Sequence, residues 1–313
     1  MYTVVIPTFN SSERINKTLN SVFNQTIQPN VVFIIDDMSG DIEELRNIIY
    51  EMRNRKIILI ESDVKRNAAY NRNIGWDKSS DPYVFFLDSD DEWLPEHAAS
   101  TLDIFACDSN IGCVFSHFYC CTGNGAKGLH TPSTTQEFSL ISDDKNPLDL
   151  LMSAGFDFRS STIALKQEVF EKANFDSYLQ KHQDWDLFIS LVEKNILVAR
   201  AAKASVILNE FGDYRMSSRN NINASIYFIN KWRKFMNKEN INRQIAILYS
   251  VALKRKSSSE LKYISKLSNE LNYKLNFRNR LISIFSECST SLVIVLYLFL
   301  YRVKHFCSDD ASS

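Results

Sequence analysis

Four short apolar runs, each followed by a polar or helix-spaced stretch, fill about the first 90 residues and constrain the fold more tightly than any other feature. Tyr2-Thr3-Val4-Val5-Ile6-Pro7 opens as a strand and gives way to a polar turn. From Ser11 to Gln25, Ile15, Leu19, Val22 and Phe23 recur at the spacing of one helix face. Val31 to Ile35 is a second apolar run; Ile42, Leu45, Ile48, Ile49 and Met52 mark a second helix, and Ile57 to Ile60 a third strand. A polar, helix-like segment from Asn67 to Asp77 leads to Tyr83-Val84-Phe85-Phe86-Leu87, with Pro82 before it. Strands alternating with helices predict a mostly parallel α/β sheet flanked by helices. The carboxyl ends of such strands share one edge, and open α/β sheets bind their ligands there.

Two of those strand ends are acidic. Asp36-Asp37 follows the second run, and Asp88-Ser89-Asp90-Asp91 follows the fourth. Crowded carboxylates shift one another's pKa unless a cation sits among them. Their hard oxygens suit Mg²⁺ or Mn²⁺, with substrate phosphates as further ligands. An isolated Asp-Ser-Asp is more often a solvated turn, because Asp and Ser suit turns on their own account. Here two acidic ends meet at one edge. The sequence has neither a Gly-x-Gly-x-x-Gly after the first strand nor a Gly-Lys-Ser/Thr loop. A metal on carboxylates is the natural substitute for a glycine loop in holding a nucleotide diphosphate.

In order and spacing, these and later motifs resemble those of the inverting, GT-A-fold glycosyltransferases of family two. Val5-Ile6-Pro7-Thr8-Phe9-Asn10 is similar to the family's opening strand and nucleotide loop, and Ile35-Asp36-Asp37-Met38-Ser39 to its second strand end. Arg72-Asn73-Ile74-Gly75 resembles its Arg-Asn-x-Gly helix, and Phe86-Leu87-Asp88-Ser89-Asp90-Asp91 its Asp-x-Asp signature. Gln183-Asp184-Trp185-Asp186 stands where the family usually has Glu-Asp ahead of an apolar helix. The resemblance implies a GT-A catalytic domain over residues 1–215, with a nucleotide-sugar half (1–100) and an acceptor half (101–215). A basic helical region (216–313) follows as an appendage.

The same resemblance implies roles. Pro7, Thr8 and Phe9 line the donor nucleotide, with Phe9 offering a face to uracil. Asp37 accepts the uracil imide N–H, which favours a UDP-sugar donor. Arg72 pairs with the diphosphate or with Asp88, since a guanidinium suits either oxyanion. Asp88 contacts the ribose or the metal shell, Asp90 is the principal ligand of Mn²⁺ or Mg²⁺, and Asp91 shapes the turn. Asp184 is the general base, with Asp186 as the alternative. Read without the family, Asp184 is an N-cap, because Trp185, Phe188, Ile189 and Val192 after it form one helical face.

Six cysteines form no regular framework, and no signal sequence precedes the first strand, so a reducing, cytoplasmic setting is expected. Cys113, His117, Cys120 and Cys121 match no common zinc spacing and read as buried thiols. Cys121 to Glu137 is rich in Gly, Ser and Thr and reads as a loop on the acceptor side. The net charge is only −1, yet Lys231 to Lys304 holds 15 Lys/Arg against 4 Asp/Glu. No nucleic-acid signature accompanies that charge. An unbroken apolar run, Leu292 to Leu300, lies within it; the charge-free stretch Cys288 to Tyr301 is shorter than the ~20 residues a membrane span needs. A segment at 288–303 lying on an anionic membrane surface fits this pattern. The expected activity is metal-dependent, inverting transfer of one sugar from a UDP-sugar to a lipid-linked saccharide acceptor. The family resemblance implies O-antigen or capsule synthesis as the setting, with the inner face of the cell membrane as the expected location. The alternatives are a nucleotidyltransferase, for which the basic Gly-rich triphosphate loop is missing, and a non-catalytic membrane-associated scaffold.

Overall fold

The first apolar run forms β1 (Tyr2–Thr8), and all seven of its residues are buried, as befits a parallel strand covered on both faces. The computed structural model describes residues 1–53, 56–122, 125–128, 138–141, 145–153, 155–209, 221–255 and 257–270. The apolar segment at 288–303 and most of the stretch from 121 to 137 lie outside them. Helix α1 (Ser12–Phe23) turns Ile15, Leu19 and Val22 into the core beside Val4 and Ile6 of β1. The alternation continues through β2 (Val31–Asp36), α2 (Ile42–Glu51), β3 (Ile57–Glu61), α3 (Ala68–Asp77) and β4 (Tyr83–Phe86).

Strands β3, β2, β1 and β4 lie side by side in that order, all parallel. The chain therefore builds outward from β1 and then returns to its other side. The gap beyond the ends of β1 and β4 is the topological switch point, where ligands enter sheets of this kind. Pro7, which cannot donate to a ladder, is tolerated there for a geometric reason. Val5 faces β4, accepting the Leu87 N–H at 3.1 Å, and Thr8 faces β2, accepting the Asp37 N–H at 2.9 Å. Pro7 thus points to the β4 side, past the last β1–β4 pair, Val5 with Phe86.

The second half begins with β5 (Glu92–Trp93), α4 (His97–Cys107) and the long β6 (Ile111–Thr122). After it come β7 (Gly125–Gly128), β8 (Phe138–Leu140), α5 (Pro147–Met152), β9 (Ile163–Lys166), α6 (Gln183–Glu193) and β10 (Leu197–Asn209). The sheet extends beyond β4 as β9, β6, β10 and β5; β9 is antiparallel to both neighbours, whereas β6 and β10 run parallel. Part of the stretch expected as a loop is strand, since Cys121 pairs with Ala126 and Thr122 with Gly125.

The chain divides into two compact units, Met1–Ser218 and Arg219–Ser313. In the second, α7 (Ile222–Trp232), α8 (Lys238–Lys254) and α9 (Ser258–Glu270) share an apolar cluster of their own. Ile222, Ile226 and Ile229 of α7 contribute to it at helical spacing, beside Ile245 and Leu248 of α8 and Ile264 of α9. Among the described residues no helix is long and apolar enough to cross a membrane.

Candidate active site

Helix α3 brings the first charged group to the switch point, and each residue of its Arg-Asn-x-Gly sequence has a distinct task. Gly75 lets the helix lie against β1: a Cβ there would run into the Val5 side chain, with Cγ2 at 2.8 Å. Asn73 clamps the backbone of Phe175, donating to its carbonyl at 2.7 Å and accepting its N–H at 3.1 Å. Asn67 caps the helix by accepting the Tyr70 N–H at 2.9 Å. Arg72 is then buried, 3% exposed, with its guanidinium pointing both ways across the crevice. Nη2 pairs with Asp88 Oδ1 at 2.5 Å and Nη1 donates to Gln183 Oε1 at 2.9 Å.

The acidic turn after β4 is held from three sides. Asp91 N–H closes it on the Asp88 carbonyl at 3.1 Å. Asn209, at the end of β10, donates its backbone N–H to Asp91 Oδ1 at 2.9 Å and its side-chain amide to the Asp90 carbonyl at 2.8 Å. Ser161 Oγ donates to Asp91 Oδ2 at 2.5 Å and accepts the Asp88 N–H at 3.1 Å. Asp91 is buried at the base of the turn, while Asp88 and Asp90 keep 36% and 41% of their side chains exposed. Burial, and then the charges of Asp88 and Asp90, push the Asp91 carboxyl well above the usual range. Excess negative charge is thus concentrated at this turn, and the exposed pair offers hard oxygens. A divalent cation that keeps two protein carboxylates and takes its other ligands from water or phosphate fits such a donor set. Arg14 Nη1 lies 3.8 Å from Asp90 Oδ2.

At the ends of β1 and β2 the expected donor residues divide into two groups. Thr8 is buried, with its hydroxyl donating to Asp36 Oδ1 at 3.2 Å, and Pro7 lies inside β1. Both shape the backbone. Asp36 also accepts the Ser39 N–H at 2.8 Å, fixing the next turn. Phe9, by contrast, is exposed at 36%, with Lys65 Nζ lying 3.0 Å over its ring centroid. Asp37 is buried and accepts the Arg66 N–H through Oδ1 at 2.7 Å. Among the described residues no donor reaches its Oδ2.

Asp184 approaches the same crevice from the other half of the sheet. It is not the cap of α6: His182 is, in the left-handed region at φ 66, and Asp184 is the second helical residue. The carboxylate still gains from the positive end of the helix. Burial raises its pKa above the ordinary value, opposed by the Arg72 charge and by a hydrogen bond from the Ser160 hydroxyl. Asp186 turns inward, 1% exposed, whereas Asp184 is only partly buried. Gln183 is locked between Arg72 and the Leu179 carbonyl, 2.7 Å from its amide.

On β6, Cys113 is buried and Cys120 and Cys121 are half-exposed. Burial pushes the Cys113 thiol far up. Among the described residues no group of three His, Cys, Asp or Glu side chains encloses a metal by itself. Sequence reading missed Asn209, Ser160 and Ser161. Their partners lie far away along the chain, and only the start of the acidic run hinted at an anchored turn.

The family model for Glycosyl transferase family 2 matches residues 3–172, more than half of the chain. The chain belongs to that family. This glycosyltransferase is 27% identical over 249 residues to the amylovoran biosynthesis glycosyltransferase AmsB of Erwinia amylovora, covering 77% of this chain and 80% of that protein. It is also 27% identical over 284 residues to the poly(ribitol-phosphate) beta-N-acetylglucosaminyltransferase TarP of Staphylococcus aureus, covering 84% of each. Among solved structures, S. aureus TarS 1-349 in complex with UDP-GlcNAc superposes with a TM-score of 0.67 at 15% identity, over 97% of this chain and 92% of that one. The fold is therefore GT-A, as the family resemblance implied, and its mostly parallel sheet is the one the alternation of strands and helices predicted.

Proposed function

We propose that this glycosyltransferase moves a single sugar from a UDP-sugar to a lipid-linked saccharide acceptor, with inversion and with a divalent metal, in the assembly of a bacterial surface polysaccharide. One observation carries the reading: the buried Arg72 spans the crevice, holding Asp88 of the acidic turn on one side and Gln183, next to Asp184, on the other. Donor-binding groups and a candidate base thereby face one space at the switch point.

In this reading uracil lies on the exposed Phe9 ring and gives its imide N–H to Asp37 Oδ2. Asp90, with Asp88, holds Mn²⁺ or Mg²⁺. Bound there, the metal offsets the charge that grows on the leaving diphosphate. Arg72 adds a fixed positive charge beside the same oxygens. Asp184 accepts the proton of the acceptor hydroxyl as the new C–O bond forms; Asp186, the alternative, faces inward. Attack opposite the leaving UDP inverts the anomeric centre.

The donor follows from the uracil contact and agrees with the UDP-GlcNAc in the TarS complex. Polysaccharide assembly follows the names of AmsB and TarP. The lipid-linked acceptor and a peripheral position on the cytoplasmic face of the membrane rest on the charge of the C-terminal region, 15 Lys/Arg against 4 Asp/Glu between Lys231 and Lys304. TarP's name supplies the competing acceptor, a phosphate-linked polymer.

Release of UDP from a panel of UDP-hexoses and UDP-N-acetylhexosamines tests the reading, with lipid-linked saccharide, poly(ribitol-phosphate) or water as acceptor. Turnover should need Mn²⁺ or Mg²⁺, stop in excess EDTA and return when metal is restored. Undiminished turnover in EDTA would sink the metal assignment, and turnover with GDP-sugars but not UDP-sugars would sink the role of Asp37.

A further inference from the structure

Two consecutive serines join the halves of the site. Ser160 and Ser161 lie on a single 3₁₀ turn, Ser160–Thr162, and both are buried. Thr162 closes the turn on the Arg159 carbonyl with its N–H at 2.9 Å and its hydroxyl at 2.8 Å. The turn runs directly into β9, which pairs antiparallel with β4: Phe85 faces Ala164 and Tyr83 faces Lys166. Residues just before β9 therefore lie beside the carboxyl end of β4, where the acidic turn begins. Ser161 grips that turn through Asp88 N–H and Asp91 Oδ2, and its carbonyl accepts the Trp93 indole N–H at 2.9 Å. Ser160, one residue earlier, donates to Asp184 Oδ1.

We propose that Ser160 is a positioning residue for glycosyl transfer: it fixes the Asp184 carboxylate, while Ser161 ties the same turn to the donor-binding acids, so that the Ser160–Thr162 turn sets the spacing between base and donor. This rests on Asp184 being the base. Oδ1 of Asp184 is committed to Ser160, and among the described residues no donor reaches Oδ2, which is left for the acceptor hydroxyl. A carboxylate on a two-torsion side chain would otherwise sample several rotamers, and a base must stay within hydrogen-bond reach of its proton. Small misplacement of a reacting group is costly in rate. The hydroxyl also favours the ionised carboxylate, acting with the Arg72 and Arg159 charges against burial and the charge of Asp88.

The test is a mutant cycle on the full chain, read as UDP release from the same UDP-sugar panel with Mn²⁺, together with calorimetric binding of UDP alone. Ser160→Ala should lower kcat roughly ten- to hundredfold, as expected for loss of a hydrogen bond to a charged group. UDP affinity and donor KM should stay within about twofold. Ser160→Cys fills the site with a somewhat larger group that donates only weakly, and should show the same loss if Ser160→Ala folds poorly. In an Asp184→Asn background, Ser160→Ala should cost nothing further; Ser161→Ala should instead weaken UDP binding in the presence of metal. Wild-type kcat in both Ser160 variants, or an undiminished loss in the Asp184→Asn background, overturns the proposal. Full activity of Asp184→Asn alone marks a failure of the base assignment and is distinct from either result.

Discussion

Asp184 carries opposing influences whose balance is measurable. Burial raises its pKa, and the Arg72 charge and the Ser160 hydroxyl only partly offset that rise. A base must be ionised to act, so a raised pKa moves the acid limb of the kcat–pH profile above the range of an ordinary carboxylate. Asp184→Asn preserves the shape and should lower kcat by about 10²–10⁴-fold, the usual cost of a lost general base, and it should erase that limb. UDP binding should persist, because the contacts proposed for uracil and diphosphate use other residues. If Asp186→Asn is the crippled variant, the base is two residues further on. A second residue-scale prediction concerns Arg72. Lysine keeps the charge but cannot bridge Asp88 and Gln183 with one planar fork, so Arg72→Lys should weaken metal-dependent UDP binding and lower kcat together. Unchanged binding and turnover would remove Arg72 from the site. The acids at 37, 88 and 90 were legible in the sequence because they end apolar runs. Ser160 was not: nothing local distinguishes it, and its partner is 24 positions away.

At the scale of elements, the first half of the sheet was readable because each strand was a clean apolar run and each helix kept one apolar face. The second half was not. Strand β9 has four residues, too few for a period to show, and β10 mixes Ala, Arg and Lys into an irregular pattern with register shifts against β6. Their pairing comes from long-range contacts that local sequence does not encode. Helix α3 permits a sharp test of the readable half. Gly75→Ala places a methyl group against Val5 in a strand buried along its whole length. Overpacking of this kind costs about 1–3 kcal/mol. Urea unfolding should show that loss, and Val5→Ala in the same chain should recover part of it; additive losses would mean that the helix and β1 are not in close contact. Helix α4 provides a pH test. His97 is fully buried, 4.7 Å from the Trp93 ring, with Nδ1 2.7 Å from Ser205 Oγ, and burial lowers its pKa from 6.5 to about 3. Its neutral form is therefore the folded form. That contribution is complete above pH 6.5 and is lost as pH falls from 6.5 towards 3, where the unfolded chain binds the extra proton. At pH 5.5 the loss is about 1.4 kcal/mol relative to a site without the shift. His182 behaves in the same direction, and the raised carboxyls of Asp91 and Asp184 oppose it. Comparison with His97→Gln cancels these common effects, and the variant should lose less stability between pH 7.5 and 5.5. Equal losses in both proteins would mean that His97 is free to protonate in the fold.

The whole molecule divides its charge unevenly. Lys231 to Lys304 carries an excess of positive charge although the full chain is nearly neutral, so the remainder is acidic. A cationic region attached to an acidic catalytic unit suits a surface that is itself anionic, and the apolar run Leu292 to Leu300 within it suits a surface with a hydrocarbon interior. The two attractions respond differently to salt. Exposed charges are screened within about 8–10 Å at physiological ionic strength and more closely above it, whereas burial of apolar side chains is not weakened by simple screening. The 313-residue chain should therefore sediment with vesicles rich in phosphatidylserine or phosphatidylglycerol and should not sediment with purely zwitterionic ones at low salt. Each basic residue close to such a surface contributes about 1 kcal/mol, so engagement of only a few would hold the protein there. Raising NaCl to 1 M should release part of the bound protein and leave part behind. Complete release would show that charge alone holds it, and Leu296→Glu in the apolar run would then make no difference. Retention that survives salt but is lost in Leu296→Glu, with UDP release from soluble acceptors unchanged, would assign the apolar run to the membrane and leave catalysis to the unit that ends at Ser218.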